Sequence, residues 1–550
     1  ELRLVGSEMC IRDSLFILPV FALKLLADPI LSSWFTEHSG QYARIYETSA
    51  DESALNPVTT WSHPNNGSGQ ALPTYAGVHE IAYTDTNVYI RTSGLGFHVM
   101  GPWYLDEERT NLFPNYPSNT SAIFRFPRVP GTPPISKTAT GNGTIGYFVD
   151  GIGMFDSRDA FSYSNANEGD ARPNSDFTGD GIWNRDAYIN ESVTFDSAHA
   201  HQAGINHHYH ANPPALRHLI GDSVDYDAST NTYTENFNGQ HSPIVGWVRD
   251  GYPIYGPYGY DDPDDTYSTV RRMITGYIAR DGSNGTTNLN DTGRVSLPYW
   301  AAVVKEINTV LTTDEYGPTV SAMYPLGHYI EDYDYLGHLG FTLGTDFDLD
   351  EHNGRFCKTP EYPDGIYAYF VSIDALGTPI YPYNIGRTFY GSPTGADVNS
   401  LPANAEIYFE GGPEAMPSIE SLEVEASTGD VTLTWSGPEG GTYLIEHSAD
   451  LEEWKMLSDT AENELGSLGS TSDLTRVLYE VKQFYRSSLT AIEAFDDEGF
   501  DYDPIAFPKF IARFSTLPPL EEINSVSLSG VTASITVSYT HLRAHETQFH

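Results

Sequence analysis

The sequence predicts a mostly β protein, with a duplicated β-hairpin/sheet central domain followed by a C-terminal β-sandwich. Three observations support this fold class. The 550 residues include 49 Gly, 35 Pro and 37 Tyr, which is typical of strands joined by elaborate loops. Apolar and polar residues alternate in several short runs, whereas long apolar helical runs are few. Two pairs of these runs are joined by Asp-Gly, a strong signal for a tight β-hairpin.

The acidic composition limits the kinds of partner. The chain has 29 Lys and Arg against 74 Asp and Glu, which gives a formal net charge of −45. Because phosphate binding depends on basic patches, this balance argues against nucleic acid and against anionic membrane surfaces. No segment after residue 27 reaches the roughly 20 apolar residues of a transmembrane helix, so no membrane span is expected. A small molecule or a surface glycan remains as the partner class.

The two ends of the chain are predicted to be foreign to the protein. Residues 1–14 and 537–550 look like translated sequencing-adaptor read-through, and segments of foreign origin do not contribute to the fold. The apolar run at 15–27 is typical of a signal-peptide remnant, which favours a secreted, periplasmic or cell-surface protein. The alternative for this run is a buried strand or helix. With Cys10 in the foreign segment, Cys357 stands alone and no intrachain disulfide is expected.

Four segments are expected between these ends. Residues 28–135 form an N-terminal β region, where VHEIAYTDTNVYIRTSG indicates strand, turn and strand. Residues 136–412 form the central domain, rich in Gly, Asp, Tyr and His. Residues 418–487 alternate strictly at 431–435 and resemble the Ig-like, fibronectin type III-like β-sandwich modules of secreted bacterial proteins. Residues 488–536 are an acidic linker or the start of a further, truncated module.

An internal echo indicates that the central domain is duplicated. IGYFVDGIGMF at 145–155 and VGWVRDGYPIY at 245–255 share an apolar strand, an Asp-Gly and a second apolar strand. GINHHYH at 204–210 follows the first copy, and GIYAYFV at 365–371 follows the second. Alignment from their shared Gly-Ile matches His208 and His210 with Tyr369 and Val371.

The segment HAHQAGINHHYH at 199–210 carries the residues best suited to chemistry. If residues 203–206 form a four-residue hairpin loop, His201 pairs with His208 and His199 with His210, and paired Cβ atoms lie about 4.5–5.5 Å apart. Alternate strand residues share a face, so the imidazoles converge on one patch. Neutral imidazole suits Zn, Cu, Fe or Ni. The pattern predicts a transition-metal site with His199, His201, His208 and His210 as ligands and Asp196 as a ligand or an orienting carboxylate.

The alternative is a pair of half-exposed strands whose histidines are structural. A one-residue slip in register would scatter the histidines onto opposite faces. His207 and Tyr209 belong to the other face of the hairpin, where packing is expected.

Four separated motifs in the central domain resemble the YHYH domain, a family of largely secreted bacterial proteins without a settled biochemical activity. These are DGIGMF, HHYH followed by ANPPAL, VRDGYPIYGPYGY, and LDEHNGRFCKTPEYPDGIYAYFV, and together they cover about 140–390. The name motif, Tyr-His-Tyr-His, falls on His207, His208, Tyr209 and His210, so His207 replaces the first Tyr. The resemblance implies the fold and the location of the site, but no reaction.

Two further sets of residues are candidates for metal binding. Members of the family often carry Cys where this chain has His352, so His352 becomes a free imidazole beside Asp350 and Glu351, and these residues are a further ligand or groups that support the ligands. DFTGDGIWNRDA at 176–187 imitates a calcium loop through Asp176, Asp180 and Gly181, with Asp186 as a further ligand, although a solvated acidic turn explains it equally.

The sequence therefore favours an exported metal-binding protein, with metal-dependent catalysis if one coordination position stays open. The competing hypothesis is an extracellular adhesion or carbohydrate-binding protein whose histidines are structural.

Overall fold

The computed structural model describes residues 28–171 and 179–412, and beyond them only the backbones of several strands. The segments at 1–14, 15–27 and 537–550, apart from one strand residue, lie outside the described residues. The expectations for these ends stay predictions. The mostly β fold class is confirmed, because many short strands and only a few short helices form the described residues.

The described strands are numbered in chain order. They are β1 Arg44–Ile45, β2 Trp61–Ser62, β3 Gly69–Gln70, β4 Val78–Tyr83, β5 Asn87–Thr92, β6 Val99–Met100, β7 Ala122–Pro127, β8 Thr144–Phe148, β9 Gly153–Phe155, β10 Arg158–Ser164, β11 Gly169–Ala171, β12 Asn184–Asp186, β13 Ala200–Ala203, β14 Asn206–Tyr209, β15 Val224–Asp227, β16 Thr232–Glu235, β17 Ile244–Val248, β18 Pro253–Tyr255, β19 Tyr258–Tyr260, β20 Val270–Arg272, β21 Tyr277–Ala279, β22 Tyr333–Tyr335, β23 Gly354–Cys357, β24 Ile366–Phe370, β25 Ala396–Asp397 and β26 Glu406–Glu410.

The helices are short and lie in the connections. The α-helices are α1 Pro29–Ser32, α2 Ser49–Ser53, α3 Ala187–Glu191, α4 Pro214–Leu219, α5 Leu289–Thr292 and α6 Tyr299–Lys305, and the 3-10 turns are Ser192–Thr194, Ser283–Gly285, Ile330–Asp332 and Leu336–Leu339. Among the described residues, no helix combines the length and the apolar character that a membrane span requires.

The N-terminal region and the end of the central domain share a five-stranded sheet in the order β25-β7-β5-β4-β26. β4 and β5 form the strand, turn and strand expected from the sequence, with Ile81 opposite Ile90. β25 and β26 return from the predicted central domain and pair with the two outer strands. The segments 28–135 and 136–412 are therefore joined by main-chain hydrogen bonds.

An eight-stranded sheet in the order β13-β14-β9-β8-β17-β18-β24-β23 forms the centre of the protein. β8 and β17 pair antiparallel at the centre of the sheet. In the first half β8 pairs antiparallel with β9, β9 pairs parallel with β14, and β14 pairs antiparallel with β13. The second half repeats this order through β17, β18, β24 and β23. Both Asp-Gly turns place their glycine at positive φ, 83° at Gly151 and 85° at Gly251. The predicted duplication is confirmed, because the two halves repeat the same order of strands and the same turns.

The structural alignment of the two halves differs by one residue from the alignment that the shared Gly-Ile predicts. Tyr209 lies opposite Met154 on β9, and Tyr369 lies opposite Ile254 on β18. Met154 and Ile254 are equivalent because they lie opposite Gly146 and Gly246. His208 and His210 thus correspond to Ala368 and Phe370, and the expected match with Tyr369 and Val371 is wrong. The loops cause the shift, because two residues join β13 to β14 whereas eight join β23 to β24.

The main core joins both halves of the large sheet to the N-terminal region. Buried side chains such as Trp103, Phe124, Phe148, Tyr209 and Trp247 belong to one continuous cluster. A second cluster around Trp183, Trp300 and Tyr329 packs beneath the long connections after β11 and β20. The histidine hairpin β13–β14 is the outer hairpin of the first half and packs on the main core through Ala200 and Tyr209.

The backbone strands after residue 412 are β27 Ser418–Val424, β28 Val431–Ser436, β29 Ile445–His447, β30 Lys455–Met456, β31 Tyr479–Glu480, β32 Arg513–Phe514, β33 Ile523–Ser529 and β34 Thr532–Val537. They form two four-stranded sheets, and β34 pairs with β28. The side chains of 418–487 and 488–536 lie outside the described residues. The fibronectin type III-like module and the segment after it stay predictions.

Candidate metal centre

The hairpin β13–β14 has the register that the sequence predicts at its centre. His201 lies opposite His208, and the turn consists of the two residues Gly204 and Ile205 between the paired Ala203 and Asn206. It is therefore tighter than the expected four-residue loop. The expected pairing of His199 with His210 is wrong, because β13 begins at Ala200 and His199 has a left-handed φ of 63°. This backbone conformation turns the chain out of the strand before it reaches His199.

Three histidines converge on one face of the hairpin. His201, His208 and His210 are only 5%, 1% and 5% exposed, and each offers a ring nitrogen within 4.8 Å of those of the other two. The Nε2 atoms of His208 and His210 are 3.0 Å apart. The ring of Phe155 stacks on His208 at a centroid distance of 3.8 Å and holds that imidazole in place.

The neighbours of the three rings determine which nitrogen carries the hydrogen. Nδ1 of His208 lies 2.9 Å from the carbonyl oxygen of Asn206, and Nδ1 of His210 lies 2.8 Å from that of Asp156. A carbonyl oxygen only accepts, so both Nδ1 atoms must carry the hydrogen. The hydroxyl of Thr194 donates to the carbonyl of Glu191 and accepts from Nδ1 of His201 at 2.7 Å. All three Nε2 atoms therefore present lone pairs to the shared space.

Burial keeps these imidazoles neutral. Desolvation lowers the pKa of His210 to about 4 and lowers the pKa values of His201 and His208 well below the usual 6.5. The mutual repulsion of the protonated rings lowers the pKa values of His201 and His208 further. Neutral imidazole is the form that binds a metal ion, whereas two facing lone pairs at 3.0 Å repel each other. The arrangement could therefore hold a metal ion between the rings.

Glu191 also lies at this site, although the sequence does not predict it. It ends helix α3, and its Oε2 lies 3.3 Å from Nε2 of His210 and 3.7 Å from Nε2 of His201. Burial raises the pKa of this carboxyl to about 7. The side chain of Asp186 caps the start of α3 by accepting from the N–H of Ile189. No local signal marks Glu191 in the sequence, because a helix and a 3-10 turn bring it to the hairpin.

Asp196 and His199 do not join this cluster. The Oδ1 of Asp196 accepts from the backbone N–H of Ala198 and of Ala200, which closes the turn before β13. His199 points away, and its Nδ1 donates to the carbonyl of Asn212 at 2.9 Å. His199 lines a cleft of about 280 Å³ together with Tyr188, Asn212, Tyr233, Glu235 and Pro379.

A second group of metal-binding residue types lies on the opposite face of the hairpin. His98, Asp196 and His207 are all buried and offer ligand atoms within 4.8 Å of one another. Burial lowers the pKa of His207 to about 4. For Asp196, burial opposes ionisation, but the contacts with His98 and the N–H of Gly101 outweigh it and lower the pKa. The strand pattern predicts only packing for His207, and no pattern marks His98, which reaches the hairpin from the N-terminal region.

The remaining sequence candidates have partners elsewhere. Nδ1 of His352 bonds to the side chain of Thr388 at 2.8 Å, Asp350 accepts from the hydroxyl of Tyr367, and Glu351 lies 3.5 Å from His338. None of the three belongs to either histidine group.

In the proposed calcium loop, Asp176 lies outside the described residues. Gly181, at φ 73°, turns the chain there, and its N–H donates to Ser162. Both oxygens of Asp186 accept from the hydroxyl of Tyr383 at 2.7 Å, and Oδ2 of Asp180 accepts from the N–H of Asn165.

Comparison with known proteins finds a family match in the central part of the chain. Residues 123–381 match the model of the YHYH protein family, which supports assigning this part of the chain to that family. The matched range contains the eight strands of the large sheet and the His201, His208 and His210 cluster, but not His98. No curated protein and no solved structure matches the chain.

Proposed function

We propose that this protein binds one transition metal ion through the Nε2 atoms of His201, His208 and His210. The observation that carries the proposal is the 3.0 Å approach of two Nε2 lone pairs whose Nδ1–H groups are already committed to carbonyl oxygens. Such an arrangement is unfavourable unless a positive charge lies between the rings. Three imidazole ligands with orienting hydrogen bonds on their other nitrogens are the pattern of protein metal sites.

The ligand types favour Zn, Cu, Fe or Ni over Ca or Mg. Imidazole nitrogen suits the first group, whereas Ca and Mg take oxygen ligands. Glu191 supplies a carboxylate near the same space, which suits either a fourth ligand or a proton acceptor. Three protein ligands and an open position would let the bound ion act as a Lewis acid in a metal-dependent enzyme.

The competing arrangement is metal-free, with one proton shared between His208 and His210. It places an imidazolium in a buried site, and burial disfavours that charge. Glu191 is the one carboxylate that ion-pairs with these rings among the described residues, and its own pKa is raised to about 7. A carboxyl that is only about half ionised at pH 7 stabilises an imidazolium less than a fully ionised one does, so we favour the metal ion.

Elemental analysis of the full chain, purified without a His tag, tests this function. We expect a His208→Ala/His210→Ala variant to contain about one metal ion per chain less than the wild type. His199→Asn is the matched control, because Asn353 occupies the equivalent left-handed position in the second half at φ 66°. The control should keep the wild-type metal content. Equal metal content in the wild type and the double variant, including after incubation with Zn, Cu, Fe and Ni salts, would exclude the site.

A second candidate function is binding of a glycan or another small molecule in the cleft beside His199. Tyr188 and Tyr233 line it with aromatic surface, and Asn212 and Glu235 provide polar groups. If this cleft is the binding site, Tyr233→Ala should abolish retention on a glycan array while the metal content stays unchanged. Export to the cell surface, predicted from residues 15–27, would place such a cleft in contact with external glycans.

A further inference from the structure

We propose that His98, Asp196 and His207 form a second, separate site for a divalent transition metal ion, on the face of the hairpin opposite the first cluster. His207 lies opposite Gln202 in the pairing of β13 and β14, and its side chain leaves the sheet on the face opposite to that of His208. The site would join the N-terminal region, through His98, to the histidine hairpin. It does not depend on the function proposed above.

The first observation is the state of the two imidazoles. His207 is fully buried and His98 is 7% exposed. Neither nitrogen of either ring makes a hydrogen bond of normal geometry among the described residues. Every imidazole nitrogen is a donor or an acceptor, and buried polar groups in native proteins nearly always have a partner. One nitrogen of each ring lies within 4.8 Å of the other and of a carboxylate oxygen of Asp196, so an ion bound between them would give each imidazole a partner.

The second observation is the buried carboxylate of Asp196. Its Oδ1 is held by two backbone N–H groups, and its Oδ2 accepts from the N–H of Gly101 at 2.9 Å. Oδ2 lies 3.5 Å from Nε2 of His98, which is longer than a normal hydrogen bond. Among the described residues no Lys or Arg ion-pairs with Asp196, so its charge faces the two imidazoles. A cation bound there would balance this charge.

In the second half of the duplicated domain, the carboxylate equivalent to that of Asp196 has a side-chain hydrogen-bond donor in place of a metal ion. The backbone N–H of Asp196 donates to the carbonyl of Ala200, the first residue of β13, and the N–H of Asp350 donates to the carbonyl of Gly354, the first residue of β23. Asp350 is therefore the equivalent of Asp196. The equivalent of His207 is Tyr367, whose hydroxyl donates to Oδ1 of Asp350 at 2.8 Å. In the second half, the hydroxyl of Tyr367 therefore bonds directly to Asp350. In the first half, the shorter side chain of His207 makes no such hydrogen bond to Asp196.

The departure of this chain from the family motif falls on the same position. His207 stands where the name motif has its first Tyr, and His98 lies outside the range matched by the family. We therefore infer a specialised site in which Tyr has been replaced by a metal ligand. Two imidazoles and one carboxylate suit Zn, Fe, Co or Ni. Complete burial gives the ion a structural role rather than access to substrate.

Cobalt binding to the His208→Ala/His210→Ala variant of the full chain tests this site alone. We expect the metal-free variant to take up about one Co²⁺ per chain, with visible d–d absorption and a higher melting temperature. His207→Tyr, added to that variant, is the fold-preserving control, because Tyr367 shows that a Tyr fits beside the equivalent carboxylate. It should take up less than a tenth of an equivalent and show no cobalt-dependent rise in melting temperature.

The outcomes separate this proposal from the first. If the His208→Ala/His210→Ala variant is folded by circular dichroism and binds no Co²⁺, the second site does not exist. If adding His207→Tyr leaves Co²⁺ uptake unchanged, the second site is excluded as well. Should His207→Tyr fail to fold, His98→Gln in the same background applies the same criterion. One cobalt per chain in both the wild type and the double variant would support this site and overturn the first.

Discussion

His210 and Arg387 are linked through Asp156. Nδ1 of His210 donates to the backbone oxygen of Asp156 at 2.8 Å, and the carboxylate of the same residue accepts from Arg387 at 2.7 Å. Asp156 follows β9 directly, whereas Arg387 comes from the segment after β24. A residue distant in the chain thus fixes the orientation of a proposed metal ligand, as outer hydrogen bonds do at metal sites.

We predict that Arg387→Met destabilises the protein and weakens metal binding. Both members of the pair are buried, so removal of the guanidinium leaves the Asp156 carboxylate with Arg158, at 3.3 Å, as its remaining ion-pair partner among the described residues. We expect a cost of about 2 kcal/mol in the free energy of unfolding. The looser Asp156 should weaken metal binding about 10–100-fold. Urea unfolding and competition with a chelator measure the two effects.

Arg109→Met is the matched control for this prediction. Arg109 ion-pairs with Glu52, but its side chain is 45% exposed. Its loss should change the free energy of unfolding by less than about 1 kcal/mol and leave the metal affinity unchanged. Equal effects of the two substitutions would contradict a specific role for Arg387.

The metal-free protein should lose stability as the pH falls from 7 to 5. The pKa of His210 is about 4 in the folded protein and about 6.5 in an unfolded chain, so between these values only the unfolded state takes up the proton. This favours unfolding at lower pH and costs about 2 kcal/mol at pH 5 from His210 alone.

His210→Phe tests this, because Phe370 occupies the equivalent position in the second half. In urea unfolding with excess chelator, the variant should lose about 2 kcal/mol less than the wild type between pH 7 and pH 5. An identical loss in both proteins would show that His210 is protonated in the folded state at pH 5.

Glu191 should make metal affinity depend on pH around neutrality. Its pKa of about 7, raised by burial, means that the carboxylate gains its negative charge as the pH rises through 7, close to the three Nε2 atoms. Apparent affinity should rise by up to about tenfold per pH unit below 7 and level off above it. Glu191→Gln should remove this slope in chelator competition at pH 6, 7 and 8.

Glu107→Gln is the control for Glu191, because it removes the same charge from an exposed position. Its pH profile should match that of the wild type. A Glu191→Gln profile that also matches the wild type would show that the carboxylate does not interact with the metal.

Local periodicity explains which parts of the fold and the site the sequence predicts. The alternation of side chains along the two strands predicts that His201 pairs with His208, as it does, and the repeated Asp-Gly turns reveal the duplication. His199 breaks the pattern because its left-handed backbone is not encoded by alternation. The one-residue error in aligning the halves arises because loop length, rather than a shared Gly-Ile, sets the register.

Tertiary contacts account for what the sequence does not predict. Glu191 and His98 approach the hairpin from a helix and from the N-terminal region, and neither lies in a recognisable motif with the histidines. Asp196 lies near the expected position but faces the opposite side of the hairpin from His201. Spacing along one strand predicts which side chains share a face, whereas the partners across that face depend on the whole fold.

The duplication also provides a matched pair of variants. Tyr369 donates to Asp250 at 2.6 Å and accepts from the N–H of Tyr390, whereas Tyr209 donates to Asp150 at 3.2 Å. We expect Tyr369→Phe to lower the free energy of unfolding by about 2–3 kcal/mol. It removes the hydroxyl donor of the buried Asp250 carboxylate, which keeps only backbone N–H donors, and it leaves the N–H of Tyr390 without its acceptor. Tyr209→Phe should cost about 1 kcal/mol, since it removes one longer hydrogen bond. Urea unfolding at pH 7 compares them, and a larger loss from Tyr209→Phe would show that the first half depends more on its Asp-Gly turn than these distances indicate.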